Sequence, residues 1–132
     1  MGNASLKTIP LWLDEGVAGY FEVAPDQRAF DNRHLSSVRW NVWLGMIPRI
    51  EDLEKCTDIG KIGKVGYRDS WAWMHFMLHG PAEAHEELVH YLHDLNAQNT
   101  NSPLSQRLER RIPSLQQSFA THFKKWKKEK RG

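Results

Sequence analysis

At 132 residues, 40% hydrophobic and 26% charged, the chain has the balance of an ordinary globular domain or part of one. No apolar run approaches the ~18 residues of a membrane span, residues 1–10 lack the apolar stretch of a secretory leader, which makes a cytoplasmic location the default expectation, and the single Cys56 excludes an internal disulfide framework or a cysteine zinc cage. The net charge of +2 is uneven: residues 124–131 hold six cations against one anion, which leaves the rest of the chain at −3.

In chain order the punctuation is proline, glycine and capping residues, and the stretches between them carry helical spacing. Residues 14–22 read as a short helix with Asp14 as its N-cap. Residues 32–47 follow, with Asn32 as cap and Leu35, Val38, Val42 and Trp43 at helical intervals. Pro48 opens a short helix to Glu54 that contains Ile50 and Leu53. Gly60, Gly63 and Gly66 predict a flexible loop over 60–66, without the G-x-x-x-x-G-K-[ST] pattern of a phosphate-binding loop. Residues 67–79 are apolar on all sides, through Trp71, Ala72, Trp73, Met74, Phe76, Met77 and Leu78. That marks a buried central helix, closed by a C-terminal glycine at Gly80. Pro81 opens the next helix at its first position, with Leu88, Tyr91, Leu92 and Leu95 as its inner face. Ser102 and Pro103 cap and start a helix to Ile112. Pro113 and Ser114 start the last one, anchored by Leu115, Phe119, Phe123 and Trp126. No stretch shows sustained period-two alternation. The expected fold is all-α, six or seven helices around residues 67–79, with 1–126 a single helical domain that is part of a larger one and 127–132 a basic tail.

Taken alone, Glu15 is an acidic residue near a helix start, where a carboxylate compensates the helix dipole. Its neighbours are more particular. Trp12 and Leu13 precede it, Gly16 and Ala18 follow, then Tyr20 and Phe21, and the small residues let this helix lie close against a neighbour. The run 10–22, P-L-W-L-D-E-G-V-A-G-Y-F-E, resembles the W-L-x-E-G-x-A-x-Y-F helix of the gluzincin metallopeptidases. The likeness continues through Y-R-D-S-W-A-W at 67–73, H-G-P at 79–81 and F-x-x-H-F-x-x-W at 119–126. From about Pro10 to Trp126 the chain is similar to the C-terminal part of the DUF1570-type bacterial domain of the peptidase MA clan.

The resemblance implies a role for two residues. Glu15 stands where that family places the third protein ligand of a catalytic zinc, beside two histidines of an upstream H-E-x-x-H helix whose glutamate is the general base. Zinc held this way lowers the pKa of a bound water toward ~7. Tyr67, ahead of the central helix, stands where related gluzincins carry a hydroxyl that stabilises the tetrahedral oxyanion; by itself it reads equally as a packing tyrosine. The family's small-residue face packs on the H-E-x-x-H helix, but the residues ahead of Pro10 contain no His, Asp or Glu. Asn3 to Leu6 resemble the linker between the two zinc helices.

The expectation is therefore a C-terminal helical half of a zinc-metallopeptidase-like protein that is not catalytically competent alone. Zinc belongs to the intact family site rather than to this chain, and a peptide or protein substrate to an intact relative. An apolar groove left where the missing helix packed would favour self-association. The alternative is a non-catalytic helical interaction module with exposed tryptophan and a basic C-terminal tail.

Other histidines are weaker candidates. His75 and His79 are four apart and share a face with Trp71. They suit a metal pair, or a pair of hydrogen-bonded core histidines. His85 and His90 are five apart and diverge around a helix, whereas His90 and His93 share a solvated face. The basic end with its embedded Trp126 suggests nucleic acid or an anionic surface, but a patch confined to one terminus reads more simply as a solvated helix end, and nucleic acid is not expected.

Overall fold

The computed structural model describes residues 9–21, 34–56, 58–97 and 102–126. Among them lie seven helices: α1 (Leu11–Phe21), α2 (Leu35–Trp43), α3 (Ile50–Lys55), α4 (Ile59–His79), α5 (Ala82–Asn96), α6 (Leu104–Arg111) and α7 (Leu115–Lys125). The fold is all-helical, and α4 is the post around which α1, α2, α3, α5 and α7 gather. Every residue from Ser70 to Met77 is buried, as all-round apolarity predicts. Phe119 and Phe123 of α7 stack with Trp73 and Trp71, with ring centroids 4.4 and 6.3 Å apart.

Several boundaries differ from the sequence reading, each for a local reason. Helix α1 begins at Leu11, and the Asp14 N–H donates to the Pro10 carbonyl at 3.0 Å. Asp14 therefore closes the first turn instead of capping it. Asn32 and the basic tail 127–132 lie outside the described residues. The expected loop at 60–66 is helical on both sides of a single break at Gly63 (φ 68°, ψ 175°). That conformation is essentially restricted to glycine. The Asp58 side chain caps the segment by accepting from the Gly60 N–H at 2.9 Å. Gly80 does end α4, but at φ −89°, ψ −144°. Glycine is needed there because a Cβ would lie 2.5 Å from the Phe76 carbonyl oxygen. Pro81 is the N-cap of α5 rather than its first residue.

The N-terminus of α6 is held from outside. Glu54 of α3 accepts from the Ser105 backbone N–H at 3.0 Å and from the Ser105 hydroxyl at 2.6 Å. A carboxylate thus satisfies one first-turn N–H group that the helix cannot, where Ser102 had been the expected cap. Arg107 and Arg111 then tie α6 to α5 through Asp94 (2.8 Å) and through Glu86 and Glu87 (2.9 and 3.3 Å).

Candidate functional site

Helix α1 sits on α4 through a glycine. A Cβ at Gly16 would lie 2.7 Å from the Ser70 carbonyl oxygen and 3.4 Å from Met74, so the two backbones meet almost directly. Of the small residues singled out in the sequence, Gly16 makes the close approach, to the central helix of this same chain, while Ala18 is exposed. One turn on, Tyr20 is buried and its hydroxyl hydrogen-bonds His79 Nε2.

That bond opens onto an imidazole cluster. His75 is fully buried, and its Nδ1 meets Nε2 of His122, from α7, at 2.9 Å. The His75 ring lies 4.8 Å from that of His79. Trp126, at the end of α7, covers all three rings at 4.9 to 5.3 Å. Burial pushes the His79 pKa down. Burial, aided by the charge of His79, pushes His122 from 6.5 to about 4. Both rings are therefore neutral at pH 7, each with one nitrogen already engaged.

His79 and His122 line an open cleft of about 560 Å³. Gly80, Pro81 and Trp126 line it with them, together with Ser114 and with Gln117, Ser118, Thr121 and Lys125 of α7. Chemically, the cleft offers neutral imidazoles, hydroxyls and one ammonium set in a mainly apolar lining that includes Pro81 and Trp126.

The residues singled out from sequence do not converge. Glu15 is half-buried on α1. Tyr67 is 38% exposed and lines a surface pocket with His34, Ser37, Lys64, Val65 and Arg68. It lies past the kink, in the body of α4, and not at the helix start. His75 and His79 are brought together, but as hydrogen-bonded core histidines facing His122 and Tyr20. Among the described residues no group of three His, Cys, Asp or Glu side chains could hold a metal ion. The described residues do not by themselves make up a zinc site. His85, His90 and His93 are exposed, as a solvated face requires.

His122 was quoted in sequence only as part of a motif. The signal that could have found it is position: it stands three residues after Phe119 and four before Trp126, on the stripe that anchors α7.

An apolar furrow runs on the other side of α1. Its volume is about 260 Å³. Leu13, Val17 and Phe21 of α1 form one bank, Leu88 and Leu92 of α5 the other, and Met74 and Leu78 of α4 the floor. Leu92, expected on the inner face of α5, turns into it and is 39% exposed; Val17 and Phe21 are 40% and 50% exposed. Leu13 and Val17 are each two residues from Glu15, about 160° away around the helix axis. A helix seated in this furrow would lie on the flank of α1 away from Glu15, so the furrow is not where a partner zinc ligand would come from.

No family model, no curated protein and no solved structure matches this chain.

Proposed function

We propose that this chain is a helical interaction module of gluzincin-like ancestry that self-associates by closing the α1–α5 furrow against the same flanks of a second copy. The observation that carries this reading is the furrow itself: adjoining apolar side chains on two helices, floored by a third. Three packed helices with an open apolar face take a further helix by ridges-into-grooves packing. Two such faces related by a two-fold axis are self-complementary. Burying the half-exposed Val17, Phe21 and Leu92 contributes roughly 1 kcal/mol each per copy.

The test is sedimentation velocity over a concentration series, beside the double variant Val17→Glu, Phe21→Glu. Both positions are solvent-facing, so the variant retains its helical signal. A reversible dimer in the wild type that becomes a monomer in the variant supports the reading. A wild type that remains monomeric at about 100 µM, a concentration where a micromolar dimer is formed, overturns it.

A second reading is the C-terminal helical half of a zinc-metallopeptidase-like protein, with Glu15 as third zinc ligand and Tyr67 at the oxyanion. What favours it is the tight seat of α1 at Gly16, the close approach that the E-G-x-A run implies. Among the described residues no further donors stand with Glu15 to complete a zinc site. Zinc titration of the wild type and Glu15→Ala tests it. Near-stoichiometric zinc that disappears in the variant supports Glu15 as a ligand, and identical behaviour of the two removes it.

A further inference from the structure

Trp40, Trp43, Leu44 and Met46 are 67%, 62%, 56% and 54% exposed. All four lie at the C-terminal end of α2 and in the turn beyond it, where Gly45 adopts φ 82°. Helix α2 buries Leu35, Val38 and Val42. At the helical pitch Trp40 and Leu44, four apart, form a ridge on the opposite side. Together the four make a knuckle of indole and aliphatic surface. Nothing in the fold requires it to face water, and two outward tryptophans on a nine-residue helix call for an account.

Cations predominate beside the knuckle. Residues 34–50 contain Arg39 and Arg49 and no acidic residue; Arg49 is paired with Glu51 just beyond, at 3.3 Å. On one flank Lys124 of α7 places its ammonium 5.0 Å from the centroid of the Trp43 ring. On the other, Arg68 of α4 donates to the Ser37 hydroxyl at 3.3 Å, beside Lys64 in the pocket that Ser37 and Arg68 share. Asp69 is the acidic group at hand there, and it is engaged with Arg68 at 3.1 Å. After Lys124 the sequence continues through Lys125, Lys127, Lys128, Lys130 and Arg131.

We propose that this knuckle docks the protein on the surface of an anionic phospholipid bilayer. Trp40 and Trp43 would sit at headgroup level, where amphipathic indoles are favoured. Leu44 and Met46 would enter the acyl boundary, while Lys124, Arg68 and Lys64 meet lipid phosphates and carboxylates on either side. Single-stranded nucleic acid also takes aromatic residues beside cations. The aliphatic half of the knuckle favours the bilayer, since Leu44 and Met46 have no π face on which a base can stack. Among the described residues no helix is long and apolar enough to cross a membrane, so the mode is surface attachment.

The experiment is co-sedimentation of the full chain with phosphatidylcholine vesicles, with and without about 30 mol % phosphatidylserine, alongside a fluorescent single-stranded oligonucleotide. Expected is binding that rises at least about tenfold with the anionic lipid and weakens with salt. Trp40→Ala with Leu44→Ala should lower it about tenfold or more at unchanged helical content, and Lys124→Glu several-fold. Binding indifferent to the Trp40/Leu44 change overturns the insertion and leaves charge alone. Equal binding to both vesicle types, no binding at low salt, or displacement from vesicles by the oligonucleotide each overturns the proposal as well.

Discussion

The imidazoles of His75 and His122, one on α4 and one on α7, meet Nδ1 to Nε2 at 2.9 Å inside the protein. One ring must donate and the other accept. Two protonated rings would offer only donors and repel each other. The junction of α4 with α7 therefore tolerates at most one protonated ring, and burial keeps His122 neutral.

Stability should fall on acidification for this reason. The His122 pKa is about 4 in the fold against 6.5 for the ordinary group, and His79 is depressed in the same direction. Between those two values the unfolded chain binds a proton that the folded chain refuses, so folding stability is full above about pH 6.5 and is lost as pH drops toward 4. The groups facing His122 are His75 and His79 from α4 and, lining the same cleft, Lys125 of α7, with Tyr20 of α1 bonded to His79 behind them. None of them supplies a compensating carboxylate. The His122 shift corresponds to at most about 3 kcal/mol. A His122→Phe variant, which keeps a ring against Phe76 and Trp126, should flatten the dependence of melting temperature on pH across this window. An unchanged slope would assign the effect elsewhere.

Glu54 should matter more than its place near the surface suggests. Its carboxylate takes both the backbone N–H and the hydroxyl of Ser105, which is buried. Glu54→Ala leaves those buried donors without their acceptor and should cost about 1–3 kcal/mol. Ser102→Ala, at the position a capping rule selects, should change stability by less than about 0.5 kcal/mol. Urea denaturation of the two variants distinguishes a cap supplied by another helix from one supplied by sequence neighbours.

Two glycines of α1 should respond oppositely to alanine. A methyl at Gly16 meets the Ser70 carbonyl oxygen at 2.7 Å, a backbone atom that cannot rotate away. Gly16→Ala should destabilise by about 1–3 kcal/mol despite its gain in helix propensity. At Gly19 the nearest atom is Trp71 Cβ at 3.9 Å, ordinary van der Waals contact. Gly19→Ala should be neutral or stabilising by up to about 1 kcal/mol. Thermal melts decide it, and equal losses at the two sites would remove the backbone contact as the explanation.

The helices were legible in the sequence because apolar spacing is a one-dimensional signal. The all-round apolarity of residues 71–78 marked the post of the fold without any knowledge of its neighbours. What failed was the reading of glycine. Three glycines within 60–66 suggested a loop, yet only Gly63 leaves helical geometry, and Ile62 and the Asp58 cap keep the short first turn in place. The histidines were half legible. The four-residue spacing of His75 and His79 marked a shared face, but the ring that engages His75 comes from α7 and the hydroxyl that engages His79 from α1. Those partners are set by how helices stack, which no spacing along the chain encodes. The exposed Trp40 and Trp43 were hidden for the opposite reason. A tryptophan in a sequence is assumed to be core, and only packing shows which ones are left outside.

The seat of α1 at Gly16 also acts as a ruler. Tyr20 rides one helical turn beyond it, so the standoff between the two backbones sets how far the phenol must reach to His79. A larger residue at position 16 would lift the phenol with the helix and hand His79 back to water, raising its affinity for a proton at the mouth of the cleft. A residue with no side chain thereby fixes the reach of a tyrosine to a histidine far along the chain, and positions 16, 20 and 79 should be read as one unit whenever this sequence is redesigned.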